Sequence, residues 1–241
     1  MGKISMTDTH AESGIKVLDR AVAILTAVAS RPHSLAELCE ATGLPRATAH
    51  RLATALETHR MLARTSDGRW SIGSTFTSLC ASTPDRIIDA ATPIMATLME
   101  STNESVQLYR LTGTSRTCIA AVEPSSGLQN TVPVGSRMPL THGSAARVFM
   151  AYASEQLKAA ILPVAAFDEN DLAQVRTDGY ASTISEREQG LASITMPIFD
   201  HGQVVAALSV SGPTERFLPS PEDRFAEALT HAARALSEAL A

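Results

Sequence analysis

Residues 34–72, SLAELCEATGLPRATAHRLATALETHRMLARTSDGRWSI, carry the pattern that decides the fold of the front of the chain. Ser34 with Glu37 three residues on is a capping-box signature. It opens a short helix whose inward residues are Leu35, Leu38 and Cys39 and which stops at Gly43. Pro45 suits the first position of another helix, expected over 45–59. Ala49, Leu52, Ala53 and Leu56 form its inward face, while Arg46, Thr48, His50, Arg51 and Thr54 face outward. Two short apolar pieces follow, Met61–Arg64 and Arg69–Ile72, with Thr65-Ser66-Asp67-Gly68 between them; Asp-Gly is a strong hairpin signal. Upstream, Leu18, Ala21, Val22, Leu25 and Val28 recur at three- and four-residue spacing, and this helix runs out at Ser30-Arg31-Pro32. Helix, helix, short turn, helix and hairpin is the outline of a winged helix-turn-helix.

A helix fits the DNA major groove, and its first turns project side chains toward base edges and phosphates. Arg46, Thr48, His50 and Arg51 supply donors there, and the outward face carries no acid before Glu57. Arg64 and Arg69 flank the hairpin tip, within reach of backbone phosphates or the minor groove. A three-helix bundle with an ordinary solvated face would show a similar pattern. Alternation places Trp70 on the same side as Ile72, so its ring is expected to pack beneath the wing against the third helix.

Beyond Gly73, Ser74–Ala81 reads as a short helix, Thr83-Pro84 as a joint, and residues 85–101 as a helix carrying Ile87, Ile88, Ile94, Leu98 and Met99. The period then changes to two. Strands are expected over 104–110 and 116–123, turning at Thr112-Gly113-Thr114, with a third over 130–134. Residues 144–163 and 169–180 read as helices. Residues 190–199 and 204–211 read as strands joined at Asp200-His201-Gly202, and a last amphipathic helix covers 221–240. Strands at both ends with helices between them argue an α+β domain on an antiparallel sheet.

The chain has 241 residues, 44% of them hydrophobic and 19% charged, enough for a core and too little charge for disorder. Residues 1–80 carry nine Lys/Arg against seven Asp/Glu, and the remainder eleven against eighteen. A mildly basic front and an acidic back fit two domains with different partners. No apolar stretch reaches the roughly 18 residues of a membrane span, and the first residues hold no apolar signal core. Cys39, Cys80 and Cys118 form no C-x-x-C pair, which argues against a disulfide framework or a zinc site. The expectation is a cytoplasmic protein with reduced thiols and no metal.

Catalytic machinery is absent from the motifs: no H-E-x-x-H, P-loop, G-x-S-x-G or G-x-G-x-x-G occurs. Cys118 lies in an alternating strand and reads as a core cysteine. Ser144 after Gly143 would cap the helix that follows, and the free N–H groups there also suit an anion. Ser209 and Ser211 share one face of a strand, either a ligand-facing row or a solvated surface. The enzymatic alternative is acyl or thiol chemistry by Cys118 or Ser144 with His142. It explains neither the basic helix nor the wing.

Several segments together resemble the isocitrate-lyase-regulator (IclR) family of bacterial transcription regulators. They are GIKVLDRAVAILTAVA (14–29), LAELCEATGLPRATAHRLATALETHRML (35–62), GRWSIG (68–73), THGSAARVFMAY (141–152), ISEREQGLASITMPIFD (184–200) and VVAALSVSGP (204–213). The likeness covers nearly the whole chain from residue 14. Residues 104–135 are most similar to an actinobacterial subgroup that regulates leucine biosynthesis. The resemblance implies an α+β chain in four parts: a disordered 1–13, a winged helix-turn-helix over 14–75, a linker over 76–84 and an effector-binding domain with a GAF-like antiparallel sheet over 85–241. It implies a repressor of amino-acid biosynthesis genes, working on double-stranded operator DNA as a homodimer or homotetramer. DNA contacts would fall to Arg46, Thr48, His50, Arg51, Arg64 and Arg69. A small-molecule effector, leucine or a related metabolite, would meet Thr141, Gly143, Ser144, Ala145, Ser193, Ser209 and Ser211. Ser193 stands where some members have cysteine and Thr183 where some have aspartate, which argues against glyoxylate or pyruvate as the effector.

Overall fold

A computed structural model of the chain describes residues 13–81 and 85–241, and each of these stretches forms one compact unit. Residues 1–12 and the Thr83-Pro84 joint lie outside the described residues. So does the end of the expected 76–84 linker, whose first part falls on a helix.

The first unit contains α1 (Lys16–Ser30), α2 (Leu35–Thr42), α3 (Arg46–Thr58), β1 (Leu62–Arg64), β2 (Trp70–Ile72) and α4 (Ser74–Ala81). The capping box forms: Glu37 N donates to Ser34 Oγ at 3.4 Å, and Ser34 N donates to a Glu37 oxygen at 2.8 Å. Gly43 ends α2 at φ 66°, a left-handed conformation that costs glycine little. Pro45 sits at the N-cap of α3, one position earlier than expected. The hairpin pairs Leu62 with Ile72 and Arg64 with Trp70. Trp70 also exchanges both main-chain hydrogen bonds with His33, at 2.8 Å each, so the α1–α2 loop adds a third short edge to the wing.

The core of this unit is Ile24, Val28, Leu38, Ala53, Leu56, Leu62 and Trp70. One expectation fails here. Leu18 and Val22 are 51% and 50% exposed while Ile24, not among the residues expected inside, is fully buried. The apolar stripe of α1 is wider than the surface α2 and α3 cover, so periodicity alone misplaces its centre. Ile72 is 39% exposed although Trp70, two residues earlier on the same face, is 1% exposed; the cover over the ring does not extend to the end of the strand.

The second unit holds α5 (Arg86–Thr102), β3 (Ser105–Thr112), β4 (Ser115–Val122), β5 (Arg137–Pro139), α6 (Ser144–Ala151), α7 (Glu155–Ile161), α8 (Glu169–Asp178), β6 (Ala181–Ile184), β7 (Leu191–Asp200), β8 (Gln203–Pro213) and α9 (Pro221–Leu240). The strands form one antiparallel sheet in the order β5-β4-β3-β8-β7-β6, long at the centre and short at both edges. Alternation assigns each central strand two characters. Val106, Leu108, Ile194, Ile198, Leu208 and Val210 face α5 and α9 in an apolar core. The opposite face meets α6 and α8, with Tyr109, Cys118, Phe149, Met150, Leu172 and Val175 packed together. Polar residues interrupt that second face, and they build the pocket described below.

Residues 130–134 are not a strand, and β5 lies seven residues further on. Pro133 offers no N–H to a ladder, and its carbonyl closes a turn with Ser136 N at 3.0 Å. The single helix expected over 144–163 breaks at Tyr152, where Ser154 caps a new helix by accepting from Leu157 N at 3.4 Å. The strand β6 went unforeseen, its four residues being too few for a period.

Candidate DNA interface and ligand pocket

On α3, Ala49, Ala53 and Leu56 are buried and Arg46, His50, Arg51 and Thr54 are exposed, with Thr48 half-buried. Neither Arg46 nor Arg51 has a hydrogen-bond or ionic partner among the described residues. The wing arginines differ. Arg64 Nε bonds Glu57 at 3.2 Å, its NH1 donates to Gly68 O at 2.6 Å, and its guanidinium stacks over the Trp70 ring at 3.6 Å. Arg69 bridges Glu37 and Asp67, each at 3.0 Å. Glu37 also binds Arg31 at 2.8 Å. The Ser34 N–H and Arg31 hold its carboxyl well below the usual range.

The second unit builds a pocket from the polar interruptions of its sheet. In register, Thr183, Ser193, Ser211 and Ser105 make one row across β6, β7, β8 and β3, while Thr195, Ser209 and Gln107 make the next. Ser144 on α6 closes over them, its hydroxyl 2.7 Å from both Ser193 Oγ and Thr195 Oγ1. Thr195 Oγ1 continues to Ser209 at 3.0 Å, Thr183 lies 3.1 Å from Ser193, and Ser211 donates to Gln107 Oε1 at 2.7 Å. Asn130 reaches Ser211 at 2.8 Å and accepts from Arg187 at 2.9 Å. Between these groups lies a cavity of about 20 Å³, lined also by Tyr109, Arg116, Gly143, Ala145 and Leu191. That is room for about one water, so a larger ligand enters only if the walls move.

Arg116 is the unusual member. It is 3% exposed, and its guanidinium donates to the carbonyls of Pro139 at 2.5 Å and His142 at 2.9 Å. Its Nε has no partner, and no carboxylate pairs with it among the described residues. Burial lowers its pKa to about 10, which still leaves it charged at neutral pH. A buried cation without a counter-ion is costly, and it faces the cavity.

Of the seven residues expected at the effector site, six line this cavity or hydrogen-bond within it. Thr141 does not line it; its hydroxyl lies 2.9 Å from His142 Nδ1. Arg116, Asn130, Arg187, Gln107, Thr195 and Tyr109 were missed. Arg116, the one charged residue of its strand, was the signal in the sequence. The capping role expected of Ser144 also fails: Gly143 holds the N-cap position, and Ser144 turns its hydroxyl inward. Glu186 takes the Gly143 N–H at 2.6 Å and pairs with Arg147 at 2.5 Å, so a protein carboxylate already occupies that helix end.

No nucleophile is activated here. Burial pushes the Cys118 thiol up to about 11, and it donates to the Ala120 and Val132 carbonyls. Ser144 bonds to hydroxyls rather than to His142, whose pKa burial and then Arg116 hold below its usual value.

The family model for the IclR helix-turn-helix domain matches residues 17–66, and the model for the C-terminal part of bacterial IclR regulators matches residues 81–238. The chain belongs to the IclR family. It is a DNA-binding transcriptional regulator and not an enzyme. The repressor AllR of Escherichia coli K12 is 32% identical over 99% of this chain and 95% of its own. Among solved structures, the Thermotoga maritima IclR protein superposes with a TM-score of 0.75 at 23% identity, covering 93% of this chain and 98% of that one. An IclR homologue from Microbacterium hydrocarbonoxydans, complexed with 4-hydroxybenzoate, gives 0.74 at 22% identity over 93% and 98%. These two likenesses bear on the fold. The α+β architecture of this IclR-family chain, a helix-turn-helix unit followed by an antiparallel-sheet unit, is the one they share. No helix among its described residues is long and apolar enough to cross a membrane.

Proposed function

We propose that this IclR-family regulator is a cytoplasmic repressor of metabolic genes whose hold on operator DNA depends on a small anionic or zwitterionic metabolite in the β-sheet pocket. The observation that carries this reading is Arg116, a buried guanidinium with no carboxylate partner among the described residues, beside two rows of hydroxyls. A ligand carboxylate satisfies the charge, and the hydroxyls and Asn130 serve the polar remainder. Leucine or a related biosynthetic compound is the first to test, on the likeness of residues 104–135. The repressor assignment follows the naming of AllR, and the Microbacterium homologue with its bound hydroxybenzoate supports a ligand-responsive domain.

On DNA, Arg46, Thr48, His50 and Arg51 present the exposed face of α3 to the major groove. Two copies, or a pair of dimers, would meet two half-sites. Ligand control requires different affinities for the DNA-competent and incompetent forms. The test is to sequence the genomic fragments that the purified protein retains, then repeat the mobility shift with leucine, other amino acids and keto acids. Release by one of them supports the reading; retention of no specific fragment, or indifference to the whole panel, counts against it.

A further inference from the structure

Trp70 sits at a junction of three segments, and Glu57 ties them together. One oxygen of Glu57, on the last turns of α3, accepts from the Trp70 indole N–H at 3.1 Å and from Arg64 Nε at 3.2 Å. His50, seven residues earlier on the same helix, meets the indole edge-on with ring centres 5.9 Å apart. From the wing, Arg64 covers the indole face and holds the turn carbonyl of Gly68. Main-chain bonds to His33 fix Trp70 from the third side.

We propose that Arg64 is a positioning residue: clamped between Glu57 and Trp70, it fixes the spacing between the recognition helix α3 and the wing rather than neutralising a DNA phosphate. This rests on α3 being the DNA-facing helix. The Nε and NH1 of Arg64 are already engaged, so turning the guanidinium onto a phosphate competes with the Glu57 ion pair and would weaken it beside a polyanion. It would also forfeit the stacking on Trp70, a cation–π contact between a half-exposed guanidinium and a buried ring. Arg46 and Arg51 carry no such ties and are the groups available to phosphates and bases. His50 is on the outward face and touches the same indole, so a displaced ring would move a residue aimed at the groove.

The experiment measures binding of the full-length protein to a genomic fragment it retains and to a scrambled duplex of equal length, across salt concentrations. Lysine at Arg64 keeps the charge but not the planar stack or the Nε bond. Arg64→Lys is expected to lose preference for the fragment as far as Arg64→Ala does, with the dependence of log K on log salt unchanged in both. Trp70→Phe alters no charge and is expected to reproduce that loss. If Arg64→Lys binds as wild type and Arg64→Ala flattens the salt slope by about one, Arg64 is a phosphate contact and the proposal falls. Unchanged preference in all three variants overturns it equally. Arg51→Ala serves as the control: if it leaves affinity for the fragment intact, the DNA-facing assignment of α3 fails, independently of the clamp.

Discussion

The hydroxyl of Ser144, on the first turn of α6, lies 2.7 Å from that of Thr195 at the centre of β7. Both residues are buried, and Ser144 reaches Ser193 at the same distance. One serine therefore joins a helix to two positions of the sheet. Ser144→Ala leaves these partners one bond short, and Thr195 and Ser193 keep Ser209 and Thr183 respectively. The expected cost is about 1 kcal/mol of stability, measured by chemical denaturation, with loss of the ligand response. A variant as stable as wild type would mean that the hydroxyl rows add nothing to the fold.

A ligand that binds only the native protein raises its stability by RT ln(1 + [L]/Kd), about 2.7 kcal/mol at a hundred times Kd. A thermal-shift screen of amino acids and keto acids on the full-length chain is expected to yield such a shift. Arg116→Gln removes the charge while leaving a polar amide in the site, and is expected to abolish the shift. A shift undiminished in Arg116→Gln would place the ligand elsewhere.

Trp70 is the only tryptophan of the chain and is 1% exposed. Its emission is expected to be blue-shifted and protected from acrylamide in the native protein, and to respond to a bound DNA fragment through His50 and Arg64. Red-shifted, freely quenched emission would contradict its burial under the wing. Trp70→Ala removes the centre of the small core, at a cost of about 3–5 kcal/mol.

The Cys118 thiol is expected to resist alkylation at pH 8 in the native protein, because burial holds it up to about 11. The linkage has a definite sign. The folded thiol keeps its proton above the pH where the unfolded thiol, near 9, has released it. Its contribution to stability is therefore full below about 9 and is lost as pH rises toward about 11. Denaturation midpoints of wild type and Cys118→Ala, compared at pH 7 and pH 10, test this; parallel changes would show that the thiol is not linked to folding.

Most of the first unit was legible because its signals are local: the Ser34–Glu37 box, Gly43, the Asp67-Gly68 turn and the spacing of Ala49, Ala53 and Leu56. Such signals act within one turn of chain, and the structure keeps them. The pocket was only half legible. Ser209 and Ser211 announce one polar strand face, but that Ser193 and Thr195 lie beside them follows from register, which links β7 and β8 through a hairpin. Arg116, Asn130 and Arg187 come from three distant segments, and no spacing connects them. The break at Tyr152 escaped because Ser154 resembles any surface serine until the helix before it has ended. Leu18 and Val22 mislead for the opposite reason: a regular stripe says which residues are apolar, not how much of it is covered.

The outline of the six-stranded sheet has a consequence for the protein in concentrated solution. Its longest strands, β7 and β8, run for ten and eleven residues, while the edges β5 and β6 have three and four. Exposed edge strands are templates on which other chains pair and fibrils grow. Here the β5 edge begins with Arg137 and ends with Pro139, which has no amide hydrogen to give. A foreign strand pairing with either margin would gain only three or four residues of ladder there, so the tapering of the sheet limits what its two outermost strands can template.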